Sequence, residues 1–170
     1  MLKPPFVPID FSVPTVVDEP DFVLKKLTTG VVKLDYDAVM SSKQSLRKIF
    51  NANDTWPTDD MTLDDNYNDL RMHQTEFDKR EAFAYTVLSS DEKTCLGCVY
   101  IDPGDKIQYD AYVYYWVRDS EKVNGLDQKI GKFIRKWLSD SWPFQRPVFP
   151  GRDFSWEDWA LYLETGKVGK

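Results

Sequence analysis

Apolar positions along the chain follow two periods. Ile130, Phe133, Ile134, Trp137 and Leu138 recur at i, i+3, i+4, i+7 and i+8, which predicts one face of an amphipathic helix beginning near Asp127. Leu63, Tyr67, Leu70, Gln74 and Phe77 fall at i, i+4, i+7, i+11 and i+14 and predict a second helix ending near Arg80. Thr62 followed by Asp65 supplies its capping box, with Asp in the place of Glu or Gln. Between these helices the period changes to two. Segments 82–88, 95–102 and 109–118 read as strands, and their links, 89–94 and 103–108, are short and turn-rich, as in an antiparallel meander. Upstream, 22–27 reads as a first strand closed by Gly30. A helix over 35–50 follows, with Asp35 and Asp37 in its first turn and Lys43, Arg47 and Lys48 toward its end, as the helix dipole favours. Its apolar stripe is Tyr36, Val39, Met40, Leu46, Ile49 and Phe50. Downstream, 146–149 reads as a short strand and 156–164 as a short helix. The fold class is therefore mixed α/β, with a central, mostly antiparallel sheet flanked by helices.

Five of the ten prolines lie in the first 20 residues, which have no period. Residues 1–21 are expected to be a proline-rich arm, lying on the body or fraying from it, with a short edge strand within 11–17. Residues 22–170 are expected to form a single domain. With 42% hydrophobic and 15% aromatic residues the chain has ample material for a core, which excludes a disordered protein. A net charge of −6 argues against nucleic acid as a partner. No stretch has the length and apolarity of a membrane span, and the N-terminal residues lack the features of a secretory signal. A cytoplasmic protein without membrane or nucleic-acid partners is the expectation.

Cys95 and Cys98 are the only cysteines and His73 the only histidine, so a closed zinc site lacks ligands and no metal is expected. The two thiols fall in an apolar strand and read as reduced strand residues. His73 borders the stripe of the 62–80 helix with no nucleophile's setting around it, and reads as structural. The phosphate-binding, dinucleotide-binding and nucleophile-elbow motifs are all missing.

Charge is unevenly spread. Between Arg118 and Lys136 six basic residues face three acids, and between Asp54 and Glu81 nine acids face three bases. A basic helix start suits a ligand with several phosphate charges, whereas an acidic helix suits a cationic amine; either is also an ordinary solvated face.

The element order, together with three motifs, resembles the GNAT superfamily of N-acetyltransferases over roughly residues 22–166. Cys95-Leu-Gly97-Cys-Val-Tyr-Ile-Asp102 is similar to that family's strand with an early glycine. Gln128-Lys-Ile-Gly131-Lys-Phe133 is similar to its Gln/Arg-x-x-Gly-x-Gly/Ala loop, with Phe133 in a small residue's place. An alternative register puts Gly131 last, with Lys129 and Leu126 before it. Either way the loop 119–126 is longer than usual, and Asp127 brings an acid to the phosphate position. Tyr162-Leu-Glu-Thr-Gly166 keeps the family's tyrosine-to-glycine spacing, with Lys167 where an aromatic is usual and the final strand pair shortened or absent.

The resemblance implies acetyl-CoA as co-substrate, its pyrophosphate held on backbone N–H groups at a helix N-terminus. The implied cofactor-binding residues are Tyr115, Val117, Lys122, Gly125, Gln128, Lys129, Ile130, Gly131 and Lys132. It further implies Tyr162 as general acid for the departing thiolate and a carboxylate base. Asp110 is the base candidate because it is the acid within the strand before the loop. Alternation puts Asp110, Tyr112, Tyr114 and Trp116 on one face and Tyr109, Ala111, Val113, Tyr115 and Val117 on the other; which row is core stays open. The implied activity is acyl-CoA-dependent N-acyl transfer to a small-molecule or peptide amine by direct attack. The alternative is a catalytically inactive binding module on the same fold.

Overall fold

Four consecutive segments alternate apolar side chains across an extended backbone and pair into the heart of a sheet. The computed structural model describes residues 3–166. The strands are β1 (Val16–Asp18), β2 (Val23–Lys26), β3 (Phe83–Leu88), β4 (Cys95–Pro103), β5 (Ala111–Val117) and β6 (Pro147–Val148). They lie side by side in chain order, antiparallel throughout except for the parallel β5–β6 pair. The helices are α1 (Val32–Ser41), α2 (Lys43–Leu46), α3 (Leu63–Asp78), α4 (Asp119–Lys122), α5 (Leu126–Ser141) and α6 (Trp156–Thr165).

Both faces of the sheet are covered. α5 packs Ile130, Ile134, Trp137 and Leu138 onto Val99, Ile101, Val113, Tyr115 and Val117. On the other face α1 and α3 cover Ala84, Cys98, Tyr100 and Trp116, while Trp159 and Tyr162 of α6 cover Tyr112. The two rows of β5 are thus both inside, with Tyr112 and Tyr114 only half-buried. Gly97 is needed where β4 meets β5, since a Cβ there would lie 2.0 Å from the Trp116 carbonyl oxygen.

The N-terminal arm lies on the body. Val7 is buried in the core, Phe6 stacks on Phe83 and Phe144, and the Tyr85 hydroxyl donates to the Pro14 carbonyl. Its edge strand begins later than expected, at Val16.

Two expectations need correction. The single helix over 35–50 starts earlier, at Val32 after a 3-10 turn, and breaks at Ser42, whose buried hydroxyl accepts the Asp119 backbone N–H at 2.8 Å. The stripe of α3 is turned at its start. Leu63 and Tyr67 are exposed, and Asn66 points inward to donate to Asp35 at 2.9 Å. The capping box between Thr62 and Asp65 is formed as expected. The two cysteines both face α1 because β4 carries a bulge: Leu88 pairs with Cys95 but Val87 pairs with Gly97. Lys167 lies outside the described residues.

Candidate active site

β6 meets β5 only at Ala111–Pro147 and Tyr112–Val148, so β5 runs on to Val117 with that edge open. α5 starts at the mouth of the opening. Its N-cap is Gly125, held at φ 75°, and its ladder begins with Lys129 N–H on the Gly125 carbonyl. The backbone N–H groups of the first turn therefore have no helical acceptor and point outward, which favours an anion. Tyr115, Gln128, Lys129, Gly131, Lys132 and Arg135 line a groove of about 590 Å³ along this helix. Gly131 lets the helix approach, because a Cβ there would sit 2.3 Å from the Tyr115 hydroxyl oxygen.

Arg152, just beyond β6, reaches across the open edge. Its guanidinium lies 3.5 Å from the Tyr115 ring centroid, donates to the Tyr115 carbonyl at 3.0 Å, and grips both Asp127 oxygens at 2.9 and 3.0 Å. Asp127 is therefore not a bare charge at the helix start. Two other groove cations are also held, Lys129 by Asp21 at 2.6 Å and Arg135 by Asp153 at 2.7 Å. On the α2 side a second hollow of about 220 Å³ lies against Ser45, Ile49, Tyr114, Tyr115, Arg152 and Trp156.

This geometry redraws the expected cofactor set. Gln128, Lys129, Gly131 and Lys132 all lie on the groove, in the first turns of α5. The strand-to-helix step is made by α4 and Gly125, with Lys122 paired to Asp119 at 2.8 Å. Ile130 and Val117 are buried in the core, so their side chains cannot touch a ligand there.

The expected acid and base are engaged elsewhere. Asp110 accepts the backbone N–H groups of Gln145 and Arg146 at 2.7 and 3.0 Å, one on each oxygen, and clamps the approach to β6. Tyr162 is buried and donates its hydroxyl to Asp105, which also accepts the Tyr112 hydroxyl at 2.9 Å and three backbone N–H groups. Burial works to raise the Asp105 carboxyl, but the Tyr162 hydroxyl and the backbone donors outweigh it and hold it well below its usual range. Burial, then the ionised Asp105, pushes the Tyr162 phenol up.

Two residues missed in the sequence stand out. Asp102 stands next to last in β4, opposite Tyr112, and burial, aided by Glu76, raises its carboxyl to about 6. Tyr114, on the same sheet face, is raised to about 12 by burial and the Asp102 charge. An acid closing an otherwise apolar strand was the available signal for Asp102. Arg152 had only its place after Gly151 to mark it.

The fold has clear counterparts among solved structures. A ribosomal-protein-S5-alanine acetyltransferase from Vibrio fischeri superposes with a TM-score of 0.65 at 11% identity, over 92% of this chain and 85% of that one. The RimL ribosomal L7/L12 alpha-N-protein acetyltransferase gives 0.64 at 14% identity, over 79% and 70%. The Microcin C7 self immunity acetyltransferase MccE, solved with acetyl-CoA and AMP, gives 0.59 at 16% identity, over 77% and 69%. No family model matches the sequence, and no curated protein matches it significantly. Element order, the parallel β5–β6 pair and these superpositions together identify the fold as that of the GNAT acyl-CoA N-acyltransferases.

Proposed function

We propose that the protein is an acyl-CoA-dependent N-acyltransferase that moves an acetyl group from acetyl-CoA to an amine of a small molecule or peptide. One observation carries this reading: the open edge of β5, with the first turn of α5 and a rim of cations at its mouth. The named structural counterparts, which include ribosomal-protein acetyltransferases and an enzyme solved with acetyl-CoA, support it.

The residues present fit coenzyme A. Exposed N–H groups at the start of α5, Lys129, Lys132 and Arg152 answer a diphosphate, and the open strand edge answers the amides of a pantetheine arm. Bound acetyl-CoA supplies a thioester that an uncharged amine attacks directly. Arg152, which bonds Asp127 and the Tyr115 carbonyl, would be the guanidinium to hold the diphosphate. Asp102, ionised at neutral pH, is the base we assign for the ammonium proton. Tyr114 stays protonated on the same face and offers a hydroxyl to the departing sulfur. Both thiols are buried and Cys98 is pushed well above its ordinary value, first by burial, so no covalent enzyme intermediate is assigned. One feature favours the alternative of a binding module without turnover: the Arg152–Asp127 pair spans the slot.

The test is thermal unfolding with acetyl-CoA, CoA and ATP. Ligand at about 100 times its dissociation constant adds roughly 2.7 kcal/mol, which for this size of chain raises the midpoint by about 5–10 °C. A rise with acetyl-CoA and CoA beyond that with ATP is expected. No rise at millimolar ligand contradicts the proposal.

A further inference from the structure

A cavity of about 210 Å³ lies between α1, α3 and the sheet, on the face away from α5. Three aromatic rings wall it: Phe50, Trp56 and Tyr100. The Phe50 ring packs 5.0 Å from Tyr100 and 5.3 Å from Tyr114, so it stands between this cavity and the hollow beside Tyr115.

The lining carries several hydrogen-bond acceptors and two carboxyl groups. Asp35 is buried, with the Asn66 amide and the Cys98 thiol as donors at 2.9 and 3.3 Å and, among the described residues, no cationic partner. Asp69 is half-buried and bonded to the Trp56 side chain. Burial drops the His73 imidazole to about 4, which leaves it neutral at pH 7. Asn66 is 1% exposed, and among the described residues its Oδ1 has no hydrogen-bond partner. Among the described residues no lysine or arginine lines the cavity. A buried acceptor without a donor is unfavourable, and a ligand N–H group that reaches it relieves that cost.

Aromatic walls, two carboxyl groups and an unanswered amide oxygen together form a receptor for an organic cation. We propose that this cavity binds an alkylammonium group, and that the acceptor is a diamine or polyamine whose second nitrogen lies beyond Phe50, on the Tyr114 side. The binding part of the claim stands on the cavity alone. The role of the occupant as acceptor rests on the acyltransferase reading.

The experiment titrates the full chain with 1,4-diaminobutane, 1-aminobutane and 1,4-butanediol, without coenzyme, by calorimetry. Saturable binding of both amines, but not of the diol, is expected. Asp69→Asn keeps an acceptor for Trp56 while removing the charge, and should weaken amine binding about tenfold or more. Trp56→Leu should weaken it by removing one aromatic wall. Failure of either amine to saturate the wild-type chain overturns the proposal, as does diol binding of equal strength or an unchanged affinity in folded Asp69→Asn. A parallel titration with CoA separates the two readings. Amine binding without CoA binding keeps the cavity and sinks the acyltransferase, and the reverse sinks the cavity alone.

Discussion

The two sides of the sheet treat charge in opposite ways. The groove along α5 is basic, yet three cations on it or at its mouth are answered from within: Arg152 by Asp127, Lys129 by Asp21, Arg135 by Asp153. The cavity beneath α3 is acidic, and no cation among the described residues lines it. A ligand of the groove must displace existing partners, so its affinity is a difference between two sets of interactions. A cation entering the cavity meets no ion pair among the described residues, and finds an amide oxygen left without a donor. Pairing within the apo protein, rather than net local charge, is what separates the two sites.

The largest effect is expected at the seam the two sides share. Gly97→Ala drives a Cβ into the Trp116 backbone carbonyl, where neither strand can yield without breaking the β4–β5 ladder. A loss of about 3 kcal/mol or more, read as a fall of roughly 6–12 °C in Tm, is the expectation.

Titration should set the cavity side apart next. His73 is depressed to about 4, so the unfolded chain binds more protons than the folded one between about 4 and 6.5, and stability falls as pH drops through that window. Asp102, raised to about 6, works the other way: its contribution is full below about 3.8 and is lost as pH rises through 6. The two partly cancel. His73→Gln should therefore flatten the acid side of a stability–pH curve, and Asp102→Asn should raise stability at neutral pH, each by on the order of 1–3 kcal/mol. Denaturant midpoints from pH 4 to 8 check both signs.

On the groove side, Asp127→Asn removes Arg152's partner and should tighten CoA binding several-fold. Arg152→Ala should weaken it about tenfold, with little change in Tm, because the pair is a third exposed. Equal effects of the same sign would show that Arg152 does not exchange partners.

The smallest effect concerns Tyr162→Phe, which deletes one donor to Asp105. It should cost about 1–2 kcal/mol of stability and leave transfer within about tenfold of wild type. A drop of more than a hundredfold in kcat would return Tyr162 to the role of proton donor.

The elements were legible where periodicity is local. The stripe from Ile130 to Leu138, the short-linked meander and the Thr62–Asp65 box all depend on neighbours in sequence, and they appear in the structure. The site was less so. Gln128 and Gly131 fall in α5 as its apolar period placed them, but the helix starts behind a glycine whose left-handed backbone no spacing rule reveals. Asp110 looked like a base until its two backbone partners, 35 and 36 residues away, came into view. Asn66 sat off the apolar stripe of α3 because its partner, Asp35, lies 31 residues upstream. Arg152 escaped notice because the Asp127 it neutralises is 25 residues distant.

The central claim is transfer itself, and the release of free thiol from acetyl-CoA in the presence of 1,4-diaminobutane measures it. The account predicts amine-dependent release that saturates with both substrates and falls sharply in Asp102→Asn. A folded protein that binds CoA yet releases no thiol above the amine-free rate would contradict it and leave a binding module.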